Sequence, residues 1–135
     1  MIRRVYYEDT LHSWMSKEYS LKDNNLIKTS LYQSDSTLIS SVNFIYDKYG
    51  NKIKLTYTND SGITGVANYI FDSNHLLIES KIEDYLYNFE VTFKYKYKYD
   101  ENNNWIERIC KRTWYTVSLD LRERDYLLIS REISY

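Results

Sequence analysis

At 135 residues, with 43% hydrophobic residues and a formal charge of −1 shared between 18 basic and 19 acidic side chains, the chain has the length of one domain and enough apolar content to build a core. That balance excludes a disordered polyelectrolyte and lacks the basic excess that nucleic-acid-binding domains carry. Proline is absent, glycine occurs three times and cysteine once, which excludes collagen-like and linker-like composition, leaves no evident domain boundary and forbids an internal disulfide.

The N-terminal "MIRRVYYEDTLHSW" has two arginines but no apolar h-region behind them, and no later stretch approaches the roughly 18 apolar residues of a membrane span. The expectation is a cytoplasmic chain with no membrane association. From Ile2 onward, apolar and polar residues alternate in short runs separated by clusters of Asp, Asn, Ser and Gly. Those side chains bond their own backbone and tolerate left-handed conformations, so each cluster predicts a chain reversal.

The first reversal is "YSLKDNNLIKTS" at Leu21, followed by "QSDST" around Asp35. Next, "FIYDKYGNKIKLTY" places Tyr46-Asp47 ahead of Gly50-Asn51 and Ile53. After "TNDSG" around Asp60, "YIFDSNHLLIES" gives Phe71-Asp72 and then Ile78, and "EDYLYN" marks a turn near Asp84 and Asn88. In "FEVTFKYKYKYDENNNW" the residues Phe89, Val91, Phe93, Tyr95, Tyr97 and Tyr99 share one face of an extended chain, with Glu90, Thr92, Lys94, Lys96 and Lys98 on the other. This ladder ends at Tyr99-Asp100, with Asn103-Asn104 and Ile106 in the positions of Gly50-Asn51 and Ile53. "WIERICKRTWYTVSL" is the returning strand. The anchors Leu21, Tyr46, Phe71 and Tyr99 are separated by 25, 25 and 28 residues, so the chain carries a degenerate repeat of strand, turn, strand, turn.

The predicted fold is all-β: one domain over residues 1–135, a continuous antiparallel meander of about ten strands. Its β-hairpin repeats curl into a half-pipe or close into an up-and-down barrel.

No catalytic, cofactor-binding or metal-binding residue is predicted. The turn motif, comprising Tyr46, Asp47, Gly50, Asn51, Phe71, Asp72, Tyr99 and Asp100, recurs at a structural position, which assigns Asp to capping the turn and Tyr to packing on the sheet. His12 and His75 flank predicted turns with no second ligand or nucleophile beside them. Cys110 shares its strand face with Arg108 and Arg112, and a small buried thiol is the reading that free cysteines favour. The three glycines form no phosphate-binding loop.

Lys94, Lys96, Lys98, Arg108, Lys111 and Arg112 fall on two neighbouring strands among tyrosines, a pattern that single-strand nucleic-acid binders use. Glu90, Asp100, Glu101 and Glu107 in the same region favour cross-strand Lys–Glu pairing on a solvated face instead. Sixteen tyrosines imply a half-wet sheet face, because a buried hydroxyl needs a partner. Rigid aromatic area of this kind also suits protein recognition. The expected contact residues are Tyr85, Tyr87, Phe93, Tyr95, Tyr97, Trp114 and Tyr115, on a strand from Tyr85 to Tyr99 and its neighbour from Trp105 to Leu119.

At "YDKYGNKI" and "YDENNNWI" the chain resembles the YD repeats of the Rhs family, whose units carry Tyr-Asp, two variable residues, Gly and a following strand. The resemblance spans residues 19–108, and the unit at Tyr46 is nearest the pattern. It implies hairpins joined into long curved sheets with Tyr-rich faces. Full-length members enclose a toxin domain, for which this chain is too short. The implied role is that of a small stand-alone, non-catalytic bacterial protein, similar to short repeat proteins that act as immunity or antitoxin partners and bind a toxin through a Tyr-rich face.

Two other readings stay open. A closed barrel would suit a small-ligand carrier, and the test is whether the first strand, Arg3 to Glu8, pairs with the last, Tyr126 to Tyr135. An open sheet would instead have to protect its edges or use them for dimerisation. The chain is otherwise a structural fragment of a larger Rhs-type protein, against which terminal units lacking Tyr-Asp-x-x-Gly suggest a capped array.

Overall fold

The computed structural model describes residues 1–10, 13–116 and 121–130. Among these are ten strands and no helix: β1 (Ile2–Thr10), β2 (Ser13–Ser20), β3 (Leu26–Gln33), β4 (Leu38–Tyr46), β5 (Lys52–Asn59), β6 (Gly62–Phe71), β7 (Leu77–Asp84), β8 (Phe89–Tyr99), β9 (Trp105–Thr116) and β10 (Leu121–Ser130). Strand order follows chain order throughout, which is the antiparallel meander that the turn spacing predicts. In that order β1 neighbours only β2 and β10 only β9. The pairing of first and last strands that a closed barrel needs is absent among the described residues, and the barrel reading is set aside.

One strand limit differs from the sequence expectation. Residues Tyr85 to Asn88 form a turn, so the ladder starts at Phe89 and not at Tyr85. The returning strand is seen from Trp105 to Thr116, while its expected end at Leu119, the histidine His12 and the last-strand residues 131–135 lie outside the described residues.

The chain divides into two compact units, Met1–Ala67 and Asn68–Tyr135. In the first, cross-strand register aligns Tyr6, Ser16, Ser30, Ser41 and Thr58 in one row. Ser16, Ser30 and Ser41 are buried although they are polar. On one side of this row Trp14 and Tyr32 are directly opposed and stack at 4.1 Å. On the other, Arg4 pairs with Glu18 at 2.8 Å. Small residues therefore occupy a lane between rows of large ones, and the hydroxyls must find partners there. Ser41 Oγ and Thr58 Oγ1 satisfy each other at 2.6 Å, whereas Ser30 Oγ is buried without a hydrogen bond. On the opposite face Val42, Phe44 and Leu55 supply the apolar contacts, with Leu55 buried.

In the second unit Val91 sits between Ile82 and Trp114, and Cys110 between Tyr95 and Leu127. Val91 and Cys110 are buried. The other face is ionic: Lys94 meets Glu79 at 3.4 Å, and Lys81 meets Glu90 at 3.0 Å and Glu83 at 3.5 Å. Being exposed, such pairs contribute about 0–1 kcal/mol each, so they set register more than stability.

The serine lane generates a paired prediction for thermal unfolding followed by circular dichroism. Ser41→Ala should cost about 1 kcal/mol because it strands Thr58 Oγ1, while Ser30→Ala should be neutral or stabilising because it removes an unpaired hydroxyl.

Candidate protein-binding surface

The Tyr-Asp positions are built as turns, in the same way three times. Asp47 Oδ1 accepts the N–H groups of Tyr49 at 2.8 Å and Asn51 at 2.9 Å. Asp72 Oδ1 accepts those of Asn74 at 2.8 Å and Leu76 at 2.9 Å. Asp100 Oδ1 accepts those of Asn102 at 2.9 Å and Asn104 at 2.8 Å. In each loop the Asp backbone N–H also bonds the carbonyl of the fifth residue, at 2.9 Å in all three. The fourth residue is left-handed: Gly50 at φ 86°, His75 at 61° and Asn103 at 63°. His75 is thus a backbone pivot. In the β3–β4 loop Gln33 takes the first position and the carboxylate moves to Asp35, which accepts the Thr37 N–H at 2.9 Å. That hydrogen bond holds the Asp35 carboxyl below its ordinary range, and the Asn25 N–H does the same for Asp23.

The isoleucine that follows these loops also has a structural reason. Ile27, Ile53 and Ile106 are each skipped in the register, opposite Glu18/Tyr19, Ile45/Tyr46 and Lys98/Tyr99 respectively. Each is the extra residue of a β-bulge, which bends the strand as it leaves the loop.

The tyrosines divide by role. Tyr46 Oη donates to the Leu26 carbonyl at 2.8 Å, and Tyr97 Oη to the Leu77 carbonyl at 2.7 Å. In both cases the acceptor opens the preceding strand, so the hydroxyl ties one hairpin to the next. Burial, and to a lesser degree the Asp23 carboxylate, push the Tyr46 hydroxyl up and keep it a donor. At the Asp100 loop this bond belongs to Tyr97 and not to Tyr99, the residue next to the Asp. β8 has 11 residues against 9 in β4, and the added length carries Tyr99 beyond the reach of β7. Tyr99 lies past the bulge and is exposed.

The expected contact residues do not form one face. Phe93, Tyr95, Tyr97 and Trp114 share a face of β8 and β9, whereas Tyr115 opposes Glu90 on the other face. The four on the common face are half-buried and already engaged. The Arg108 guanidinium lies 5.3 Å over the Tyr95 ring, Tyr97 packs edge-on against Trp105, and Trp114 edge-on against Phe89. The basic residues divide as well. Lys94, Lys96, Lys98 and Lys111 share one face, and Arg108 and Arg112 the other, where Arg112 binds the Asp125 carboxylate through Nε at 3.0 Å and through Nη2. No single basic stripe results.

Tyr85 and Tyr87 are on the β7–β8 turn. Asp84 Oδ1 accepts the N–H groups of Leu86 at 2.9 Å and Tyr87 at 3.0 Å, and Asn88 is left-handed at φ 48°. This fixed turn holds Tyr85, Leu86 and Tyr87 out at 49%, 62% and 77% exposure. Beside it is a cleft of about 170 Å³ lined by Glu83, Asp84, Tyr85, Asn88, Phe89, Glu90 and Tyr115. The sequence expectation named the two tyrosines but not Leu86, which completes an apolar triplet on this turn.

Cys110 is buried, and burial pushes its thiol up against the weaker opposing pull of Arg108 and Tyr95. Among the described residues no three His, Cys, Asp or Glu side chains are grouped to hold a metal ion.

A family model described as "Protein of unknown function (DUF2963)" matches residues 6–57, from within β1 to within β5. The match covers Ser16, Ser30 and Ser41 and the Tyr46–Asn51 loop but less than half of the chain. No curated protein matches the chain.

Two predictions follow from this geometry. Tyr97→Phe should lose about 1 kcal/mol of stability, the worth of one hydrogen bond, and Tyr99→Phe close to none, as measured by urea unfolding. Cys110 in the native protein should react slowly with a thiol reagent at neutral pH and quickly in denaturant, because the reactive thiolate is disfavoured by burial.

Proposed function

We propose that this chain is a non-catalytic protein-interaction module whose contact surface is the β7–β8 turn and the cleft beside it. The observation that carries the reading is the apolar triplet Tyr85-Leu86-Tyr87, exposed on a turn that Asp84 fixes from within. Three large apolar side chains held in water cost the folded chain free energy, which a partner would recover. Because the backbone is already fixed, little ordering entropy is lost on contact. Phe89 and Tyr115 in the adjoining cleft supply a receptive aromatic surface. The likeness of Tyr46–Asn51 to a YD repeat supports an immunity- or antitoxin-like form of this role, by analogy alone.

The half-buried ladder of Phe93, Tyr95 and Tyr97 is a scaffold in this reading. Its rings are occupied by Arg108 and Trp105, and the Tyr97 hydroxyl by Leu77. Substituting them would perturb folding together with binding. The test therefore uses Tyr85→Ala/Tyr87→Ala, since exposed positions shift stability by about 0.5 kcal/mol or less. In affinity capture from the native lysate, the wild type should retain a stoichiometric protein that the variant loses at unchanged melting temperature. Equal capture by both proteins, or capture by neither, would overturn the assignment of this surface.

A further inference from the structure

The second unit contains a sheet edge, β10, that is charged in its first half and apolar in its second. β10 has β9 as its one strand neighbour, so its outer backbone N–H and C=O groups have no ladder partner among the described residues. Natural edges are blunted by proline, by bulges or by charged side chains. β10 has no proline, and its register with β9 runs from Leu121↔Thr116 to Ser130↔Glu107 without a shift. Its charged residues, Arg122, Glu123, Arg124 and Asp125, all precede Tyr126, so the edge from Tyr126 to Ser130 carries no charge. By contrast, β1 carries a bulge between Glu8 and Thr10. On β10, Tyr126, Leu127 and Leu128 are 69%, 59% and 61% exposed. Alternation sends Leu127 to one face and its two neighbours to the other, so both faces of the edge are apolar there.

We infer that β10 pairs antiparallel with β10 of a second copy of this chain, across a twofold axis at Leu127. The geometry selects this register. Directly opposed residues in an antiparallel pair lie on the same face, so a twofold perpendicular to the sheet must place one residue opposite itself. With Leu127 at the axis, Tyr126 opposes Leu128 of the other copy twice and Leu127 opposes Leu127. Every one of the three exposed apolar side chains then meets an apolar one. Centring on Tyr126 would set Asp125 against Leu127, and centring on Leu128 would set Tyr126 against Ser130. The triplet is therefore self-complementary in one register, which favours a second copy over an unrelated strand. The contact is independent of the β7–β8 turn.

The test is register-specific cross-linking of the full chain. Directly opposed residues have Cα atoms about 4.5–5.5 Å apart, within disulfide reach. In the inferred register, two copies of residue 126, or of residue 128, are about 8 Å apart and outside it. Single variants Leu127→Cys, Tyr126→Cys and Leu128→Cys would be oxidised with glutathione disulfide, with wild type as the control for Cys110. A covalent dimer from Leu127→Cys alone supports the inference. Linking at Leu128→Cys or Tyr126→Cys in preference would overturn the register, and no linking at any position would overturn the contact. Sedimentation equilibrium supplies the second arm. The wild type should be a dimer and Leu127→Lys a monomer with an unchanged circular dichroism spectrum. A wild-type monomer, or a dimer that survives Leu127→Lys, would overturn the proposal.

Discussion

An aspartate carboxylate that accepts two backbone N–H groups of its own loop is the contact on which the rest of the meander depends. A chain without proline and with three glycines has few of the usual ways to reverse direction. It uses Asp47, Asp72 and Asp100 instead. The carboxylate offsets the strain of a left-handed residue three positions on, a strain of about 1–2 kcal/mol where glycine is absent. That is why His75 can stand where Gly50 stands in another loop. Loop length then fixes hairpin register, and register decides which side chains reach each face.

Within each unit the interior is thin. The largest side chain that is fully buried among the described residues is a serine, Ser30. None of the described tyrosines is buried to that degree, and side chains meet across strands instead: Trp14 on Tyr32, Ser41 with Thr58, Lys94 with Glu79. Stability of this kind is distributed over ladder hydrogen bonds and opposed pairs. The hydroxyl bonds from Tyr46 and Tyr97 gain importance accordingly, since each joins successive hairpins by a contact that the ladder does not supply.

Strand number, strand order and the Tyr-Asp loops were legible because each rests on a local rule: alternation with period two, and side-chain-to-backbone bonding by Asp and Asn. What was not legible depends on register or on surroundings. Tyr115 was grouped with Tyr95, yet one residue of parity puts it on the opposite face. The turn in "EDYLYN" was legible, but Tyr85 and Tyr87 were also counted onto the following strand, from which the bonds of Asp84 to the Leu86 and Tyr87 N–H groups separate them. The substitution of Tyr97 for Tyr99 follows from the length of β8 relative to β7, a comparison between strands that no local pattern contains. The repeating isoleucine was visible at Ile53 and Ile106, but its role as the extra residue of a bulge appears only once the opposing strand is known.

In the second unit, regular and irregular turns are distributed unevenly along the strands. The β6–β7 and β8–β9 loops share one construction, in which a single Asp carboxylate oxygen serves two N–H groups and the loop closes on itself. The β7–β8 turn between them is different: its Asp serves consecutive N–H groups, and three apolar residues are displayed outward. A loop that spends its residues on its own closure has few left for recognition, whereas a turn fixed by one side chain leaves the others available. The uniform loops thus hold the strands in register, and the surface displayed by the intervening turn can change without disturbing them.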